Sequence, residues 1–366
     1  MRLLYLTDRL SDRGGADHHL RQVLGSAVDA GYGVAVGYGR GDRGGVKARG
    51  LELHHVRSLA SRVDSSAGMA ALDRLLETAD LVHMQNVMNP TAMRAAAAHD
   101  RLVVTVQDHR VFCPGPGKRL PEGTVCREAM ADDLCRVCLP DAGYRRSTLR
   151  LTRHRLAAIE SATLVVLSRY MADELARVGR PDAVVLPPWV DPGPPRGGAG
   201  AGFVLGGRLV AHKGSLDGWR AWCLAGRPQP LVVAGSGPLA RDLDGADRRG
   251  WLEPAELHRV MAGARALLFP SRWQEPFGML GVEALARGTP VVVADSGGTA
   301  DWSDEGCLRV PAGDVAAMAD AIRRLAADPG LASRLGRRGQ EVVVTAFSRR
   351  SIEPRLHRLY HSVLSA

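Results

Sequence analysis

The feature that most constrains the fold is the alternation, along the whole chain, of short apolar runs with longer helix-forming stretches. Short apolar runs bounded by polar, glycine or proline residues are typical of buried strands. Strands joined through helices pair in parallel, with right-handed crossovers. The pattern therefore predicts an α/β fold with parallel sheets. The predicted strands are Leu3–Leu6, Val34–Gly37, Leu81–His83, Leu102–Val106, Leu164–Leu167, Val184–Leu186, Phe203–Leu205, Leu231–Ala234, Ala266–Phe269 and Val291–Ala294.

The length of the chain predicts two domains. A chain of 366 residues exceeds the size that one hydrophobic core usually supports. A stretch rich in proline and glycine, at 187–198, interrupts the pattern as a linker would. We therefore predict an N-terminal domain at 1–188, a linker at 189–201 and a C-terminal domain at 202–348.

The net charge of +9, from 48 basic and 39 acidic side chains, would suit an anionic substrate, an acidic membrane surface or nucleic acid. The basic residues are not interleaved with aromatic ones as in an RNA- or DNA-binding motif, so we expect no nucleic-acid partner. No apolar stretch has the length of a membrane span, and residues 1–10 lack the apolar core of a signal peptide. These features predict a cytoplasmic location.

Two glutamates lie where a predicted strand passes into a predicted helix. The strand Ala266–Phe269 leads to Glu275, and Glu283 lies in the first turns of the helix that follows. This edge of an open α/β sheet binds ligands, and helix-start amides favour phosphate there. Carboxylates would repel phosphate, and they more readily accept hydrogen bonds from neutral hydroxyl groups. Phosphate together with hydroxyls describes a nucleotide sugar.

The same segment carries a family resemblance. From Glu275 to Val292 the sequence has the form E-P-F-G-x4-E-A-L-A-x-G-x-P-V-V, which resembles the retaining GT-B glycosyltransferases of family 4, the glycosyl transferases group 1. The resemblance implies a GT-B fold of two facing Rossmann-like domains with parallel sheets. It also implies that a final helix at 349–366 crosses back to the first domain, and that catalysis needs no metal.

The resemblance assigns roles around an expected donor site. Glu275 would contact hydroxyls of the donor sugar, and Glu283 would bind the ribose of a UDP-, GDP- or TDP-sugar. Arg208 and Lys213 match the family's G-R-x4-K-G motif and would stabilise the charge that develops on the leaving diphosphate. The amides that would lie near the sugar and phosphates belong to Phe277, Gly278, Met279 and Leu280.

Three more residues border this expected site. Gly207 lies in the motif with Arg208, and Gly235 directly follows the next predicted strand. Trp251 lies within Gly250-Trp251-Leu252, which resembles the family segment that borders the nucleobase. A plain turn stays open for Gly235, and core packing stays open for Trp251.

The first half is expected to hold the acceptor. Gly14 and Gly15 follow the first strand, where they permit a tight loop with amides available to a ligand. Family members commonly have His-Asp at the end of the strand Leu102–Val106, whereas this chain has Gln107-Asp108-His109. Glutamine donates and accepts hydrogen bonds but does not titrate, so a positioning role survives and an acid–base role does not, unless His109 takes it.

Four of the six cysteines are clustered with the spacing C-x12-C-x8-C-x2-C, at Cys113, Cys126, Cys135 and Cys138. A C-x2-C pair with two more thiols in an irregular stretch suits structural zinc. Reduced thiols and disulfides stay open as alternatives, although a cytoplasmic location disfavours disulfides. Zinc would hold Asp108 and His109 in place without joining the chemistry.

A basic stretch follows, from Tyr144 to Leu156, in which a helix with an apolar stripe would carry many arginines. Weak contact with an anionic membrane surface and a solvated face both stay open.

We therefore predict a retaining, metal-independent glycosyltransferase that uses a nucleotide sugar and a small natural-product or cell-envelope acceptor. Two alternatives stay open. One is a GT-B phosphorylase or a nucleotide-sugar epimerase. The other is a non-catalytic protein that binds sugar nucleotides or a membrane surface.

Overall fold

The computed structural model describes residues 1–11, 14–41, 50–194 and 198–365. The chain divides into two compact units, which we call unit 1 (Met1–Pro187 with Glu353–Ala366) and unit 2 (Pro188–Ile352). Residues 195–197 of the predicted linker lie outside the described residues.

Unit 1 contains a parallel sheet whose strands lie in the order β3-β2-β1-β4-β5-β6-β7. Its strands are β1 (Arg2–Arg9), β2 (Gly33–Arg40), β3 (Leu51–His55), β4 (Leu81–Gln85), β5 (Leu102–Val106), β6 (Thr163–Val166) and β7 (Val184–Val185). Its first helices are α1 (Gly15–Asp29), α2 (Met69–Glu77), α3 (Pro90–Ala97), α4 (Asp132–Cys135), α5 (Ala142–Ala157) and α6 (Arg169–Ala176).

Unit 2 contains a second parallel sheet, in the order β10-β9-β8-β11-β12-β13. The strands are β8 (Phe203–Arg208), β9 (Leu231–Ser236), β10 (Asp247–Gly250), β11 (Ala266–Phe269), β12 (Val291–Asp295) and β13 (Cys307–Pro311). The helices are α7 (Ser215–Leu224), α8 (Pro254–Gly263), α9 (Met279–Ala286), α10 (Val315–Ala327) and α11 (Pro329–Val342), and α12 (Arg349–Ser365) leads back into unit 1.

The central strands are continuous apolar runs because both faces of each sheet are covered. In β1, residues Leu3 to Leu6 are all at most 1% exposed, and β11 and β12 are buried in the same way. A parallel sheet covered by helices on both faces has this pattern in place of strict alternation. The predicted α/β class with two parallel sheets is confirmed.

Three strands were not predicted, and each lies at the edge of a sheet. These are β3, β10 and β13. An edge strand has one hydrogen-bonding side open to solvent, and its side chains are more polar and more exposed. The sequence Asp247-Arg248-Arg249 of β10 is an example, since all three of its residues are exposed. Apolar patterning therefore could not identify these strands.

Helix α12 is attached to the sheet of unit 1 through a buried chain of hydrogen bonds. The hydroxyl of Tyr360 meets the hydroxyl of Tyr5 and lies 2.7 Å from Nδ1 of His83. Nε2 of His83 is in turn 2.7 Å from Oγ1 of Thr105. All four side chains are at most 2% exposed. Burial lowers the pKa of His83 to about 3, so the chain of polar groups is uncharged at neutral pH.

Replacing Tyr360 by Phe should lower the free energy of unfolding of unit 1. The change leaves the Tyr5 hydroxyl and one ring nitrogen of His83 buried without their partner, which costs about 1–3 kcal/mol. Chemical denaturation monitored by circular dichroism would measure the loss. Tyr144→Phe is the matched control, because Tyr144 is 64% exposed and its loss should leave stability unchanged. Equal stability of the two variants would contradict a structural role for this chain of hydrogen bonds.

Candidate functional site

The strand order of unit 2 reverses beside β8, and two predicted donor-site residues meet there. Lys213 lies in the turn after β8, and Glu275 lies in the loop after the neighbouring strand β11. Nζ of Lys213 is 2.7 Å from Oε1 of Glu275, which also accepts a hydrogen bond of 2.6 Å from Ser271. Glu275 is 4% exposed. The ion pair is therefore largely shielded from water. The Coulomb attraction between its two charges is stronger in such surroundings than at an open surface.

The loop after β11 is held against the turn after β8 by polar contacts that sequence analysis missed. Arg272 forms a two-point ion pair with Asp217 in the first turn of α7, with Nη2 of Arg272 2.6 Å from Oδ1 of Asp217. The backbone amides of Arg272 and Trp273 both donate to the carbonyl of His212. The ring of Trp273 lies under Lys213, whose Nζ is 4.4 Å from the ring centroid. These contacts fix the position of Lys213 before any ligand binds.

Gly214 allows the two loops to come this close. Its φ is +68°, and a Cβ at this position would lie 1.8 Å from the carbonyl oxygen of Pro270. Any larger residue would push the loop that carries Glu275 away from the turn that carries Lys213.

Arg208 differs from Lys213 in its surroundings. It is the last residue of β8, its side chain is exposed, and its guanidinium makes no ion pair or hydrogen bond with any residue that the structure describes. Gly207, beside it, pairs in register with Gly235 of β9. Trp251 follows β10 at the sheet edge and is half-buried. The carboxyl end of β8 thus presents an exposed cation next to Gly207 and Gly235, which have no side chains.

The start of α9 offers backbone amides without a side-chain cap. Gly278 precedes the helix with φ +92°, and no described side chain accepts a hydrogen bond from the first turn. Met279 and Leu280 are half-buried. The ring of Phe277 is 1% exposed and packs on Phe347, so only its backbone is available to a ligand. Unsatisfied amides at a helix start favour a negatively charged group.

Glu283, one turn further along α9, differs from Glu275 in its contacts. No hydrogen bond or ion pair joins its carboxyl group to another side chain within the described residues. Burial raises the pKa of Glu283 to about 7, and Arg287 opposes the rise only in part. The Arg287 guanidinium is itself engaged, since it donates to the carbonyl of Asp191 and to His258. Carboxyl groups with a pKa raised by burial occur often at binding and catalytic sites.

In unit 1 the predicted glycine loop precedes α1. Gly14 has φ +105°, and Gly15 is the first residue of the helix. Asp12 and Arg13, which precede them, lie outside the described residues. In the first turn, Asp17 is 3% exposed and forms an ion pair with Arg9, with Oδ2 of Asp17 2.6 Å from Nη2 of Arg9. Arg9 ends β1, so this ion pair fixes the helix start relative to the strand.

The three residues after β5 have different environments. Gln107 is 7% exposed and forms hydrogen bonds with His19, Gln85 and Asn86. Asp108 accepts a hydrogen bond of 2.8 Å from the amide of Arg110 and caps the short turn that follows. His109 is 1% exposed, and its Nε2 lies 2.9 Å from the hydroxyl of Tyr170. Of the three, Gln107 is the residue that joins the polar cluster at the carboxyl ends of β4 and β5.

The four clustered cysteines are free and half-buried. The amide of Lys118 donates to Sγ of Cys113 at 3.4 Å, and a Cβ on Gly115 would lie 3.7 Å from Sγ of Cys138. Burial and the other thiols of the cluster raise the pKa of both Cys135 and Cys138. The residue types suit zinc, yet no three His, Cys, Asp or Glu side chains in the described part of the chain are arranged to hold a metal ion. Structural zinc stays a prediction.

Helix α5 has arginines on two faces. Arg145 and Arg155 are buried and donate to backbone carbonyls, while Arg146, Arg150 and Arg153 are exposed. No helix in the ranges that the structure describes is long and apolar enough to cross a bilayer. Weak contact of this helix with a membrane surface stays a prediction, as does the cytoplasmic location.

Comparison with known proteins gives a family match for part of the chain. Residues 202–328, all within unit 2, match the family described as Glycosyl transferases group 1. The glycogen synthase of Mycobacterium tuberculosis (strain ATCC 25618 / H37Rv) is 29% identical over 226 residues, which are 55% of this chain and 54% of that protein. The chain thus spans about half the length of this curated relative.

Solved structures match over nearly the whole chain. Sucrose-phosphate synthase from Thermosynechococcus elongatus has a TM-score of 0.73 at 20% identity, covering 100% of this chain and 99% of that one. Anabaena Alr3699/HepE in complex with UDP and glucose has a TM-score of 0.70 at 18% identity, covering 99% of this chain and 100% of that one. The fold is the GT-B fold. At these identities the likeness to solved structures concerns the fold alone.

Several site residues were absent from the predicted set. In unit 2 the Ser-Arg-Trp sequence one residue after β11 was a signal that could have identified some of them, because polar and aromatic residues at a strand's carboxyl end often face a ligand. In unit 1 a neighbouring Gln-Asn pair ends β4 and would have been found by the same rule. The missed residues are Asp217, Ser271, Arg272, Trp273, Gln85 and Asn86.

The raised pKa of Glu283 predicts a specific dependence of stability on pH. The pKa of the Glu283 carboxyl group is about 7 in the folded protein, and in the unfolded chain it has the ordinary value of 4.5. Between these two values the folded state binds more protons, so the contribution of Glu283 to the unfolding free energy falls as the pH rises. Glu283→Gln should remove this fall. Measuring the free energy of unfolding of both proteins from pH 4 to 8 would test this prediction. Parallel curves of unfolding free energy against pH would contradict the raised pKa of Glu283.

If the cysteine cluster holds zinc, protein purified without chelator should contain about one zinc ion per chain by elemental analysis. Cys135→Ser should lose that metal, because a closed structural site needs four ligands. Cys223→Ser is the matched control, since Cys223 lies in α7, outside the cluster. Metal-free protein that is stable and unaffected by chelator would rule zinc out.

Proposed function

We propose that the chain is a retaining, metal-independent glycosyltransferase that takes a glycosyl group from a nucleoside-diphosphate sugar. The observation that carries the proposal is the ion pair between Lys213 and Glu275, with the exposed Arg208 ending the strand that precedes the Lys213 turn. The family match to glycosyl transferases group 1 covers all three residues.

Arg208 and Lys213 would bind the diphosphate and stabilise its charge as the glycosidic bond breaks. The reaction leaves a nucleoside diphosphate with more negative charge than the bound donor, and fixed cations stabilise such a transition state. Glu275 already holds Lys213 in place, and its carboxylate can also accept a hydrogen bond from a sugar hydroxyl. The amides at the start of α9 would add donors toward phosphate.

Glu283 would bind the ribose hydroxyls in its ionised form. Because its pKa is about 7 without a ligand, two hydroxyl donors would favour the charged carboxylate and lower that pKa. Nucleotide binding would thereby release part of a proton at neutral pH. We propose uridine nucleotides as the first donors to test, since the similar HepE structure contains UDP.

Unit 1 would bind the acceptor, which we propose to be a small natural-product or cell-envelope scaffold. The polar cluster around Gln107 supplies hydrogen-bonding groups and no charged acid or base among its described members, because burial lowers the pKa of His19 to about 4. Transfer with retention would then depend on the leaving phosphate to assist the attacking group, with the protein residues positioning it.

Arg208→Ala and Lys213→Ala should each lower turnover by about 100- to 1000-fold, because each removes a fixed positive charge from the developing diphosphate. Release of nucleoside diphosphate from a panel of UDP-, GDP- and TDP-sugars, with and without acceptors, would measure this. Arg337→Ala is the matched control, since Arg337 is an exposed residue of α11.

The outcomes separate the functions under consideration. Turnover that needs an acceptor and gives a product with the donor's anomeric configuration supports the proposal. Nucleotide-sugar binding without turnover would indicate a binding protein, and near-normal turnover in both site variants would refute the site assignment.

A further inference from the structure

The carboxamide of Gln107 lies at the centre of a buried hydrogen-bond network within unit 1. Its nitrogen donates to Nδ1 of His19 and, at 3.5 Å, to Oε1 of Gln85. Its oxygen accepts a hydrogen bond of 3.2 Å from Nδ2 of Asn86. Gln85 is 0% exposed and His19 is 5% exposed, so water does not substitute easily for these partners.

One backbone group determines the direction of every hydrogen bond in this network. The amide nitrogen of the Gln85 side chain donates to the carbonyl of Ala16 at 3.4 Å, and a carbonyl can only accept. The oxygen of Gln85 must therefore face Gln107 and accept from its nitrogen. The oxygen of Gln107 must then face Asn86, which has to donate. For the same reason Nδ1 of His19 must be the acceptor, so the ring carries its proton on Nε2.

Asn86 is held in a conformation that few residues adopt. Its φ is +59°, in the left-handed region, where asparagine and glycine are the residues most readily accommodated. It directly follows β4, and its side chain is half-buried. Backbone strain of this kind persists where the surrounding structure and the function require it. Glycine would relieve the strain but would leave the oxygen of Gln107 without this donor.

We propose that Asn86 is a positioning residue that, by donating to the oxygen of Gln107, holds its carboxamide in the orientation that the Ala16 carbonyl sets, so that Gln107 offers a ligand only a hydrogen-bond acceptor. Both hydrogens of that carboxamide are used within the network, and one lone pair of its oxygen remains. Gln107 would therefore recognise a hydroxyl group that donates to it, and it would not donate to a sugar oxygen or to phosphate. The effect of Asn86 on catalysis rests on the proposed function. The orientation of the Gln107 carboxamide does not.

Asn86→Asp tests the proposal because it keeps the size of the side chain and replaces the donor by an acceptor. The Gln107 carboxamide should then rotate to donate to the new carboxylate, because a hydrogen bond to a charged acceptor is stronger than the 3.5 Å hydrogen bond to Gln85 that the rotation breaks. The rotation turns the oxygen of Gln107 toward His19. His19 would have to carry its proton on Nδ1 in order to donate to that oxygen. Long-range proton–nitrogen NMR of protein labelled with ¹⁵N-histidine reports the tautomer directly, and His19→Gln identifies the signals of His19.

The expected results are the Nε2–H tautomer of His19 in the unaltered protein and the Nδ1–H tautomer in Asn86→Asp. An Nδ1–H tautomer in the unaltered protein, or no change in the variant, would overturn the proposal. Both measurements are independent of activity, so they stand even if no transfer is found and the proposed function fails.

The kinetic arm uses Asn86→Gly, which accepts the backbone conformation and removes only the amide donor. Once transfer has been measured, this variant should lower kcat by about 10- to 100-fold, because a loosened positioning group misaligns the reacting atoms. The KM for the nucleotide sugar should stay unchanged, because Arg208 and Lys213 are intact. Unchanged kcat in a variant with native thermal stability would overturn the positioning role.

Discussion

Both candidate regions depend on one constraint, the point at which each parallel sheet reverses its strand order. Parallel strands bring their carboxyl ends to the same edge, and ligands of open α/β sheets bind at that edge, at the reversal. In unit 2 the reversal lies between β8 and β11, and it brings Lys213 against Glu275. In unit 1 it lies between β1 and β4, where Gln85 reaches the start of α1. The side chains on these loops determine the chemistry of each unit.

The two regions differ in their electrostatics. Unit 2 has an exposed Arg208, a Lys213 oriented by Glu275, and uncapped amides at the start of α9, all of which favour an anionic ligand. Unit 1 has carboxamides and a histidine that burial keeps uncharged, as its lowered pKa shows. A neutral network of this kind orients hydroxyl groups without adding or removing protons. The replacement of the family's histidine by Gln107 is consistent with this arrangement, because a carboxamide can satisfy two acceptors and one donor at the same time.

Patterning predicted the central strands well and the edges poorly. Strands such as β1 and β12 are covered on both faces, so their burial dictates an uninterrupted apolar run. Edge strands β3, β10 and β13 obtain their conformation from pairing with a neighbour, and their side chains need not be apolar. The same difference applies to the candidate site. Arg208, Lys213 and Glu275 were recognised because a short motif contains them, whereas Asp217 and Asn86 were missed because their roles arise only from contacts distant in sequence.

The sequence by itself determined the α/β class, the parallel sheets and the residue types at the carboxyl ends of the strands, because these follow from local periodicity and motif spacing. Only the tertiary structure decided which of those residues act together. Lys213 and Glu275 are 62 positions apart, and they meet because β8 and β11 are neighbours. His109 turns into the core toward Tyr170, while Gln107, two residues earlier, joins His19. The carbonyl of Ala16, which no motif marks, sets the direction of the whole network because a backbone carbonyl can only accept.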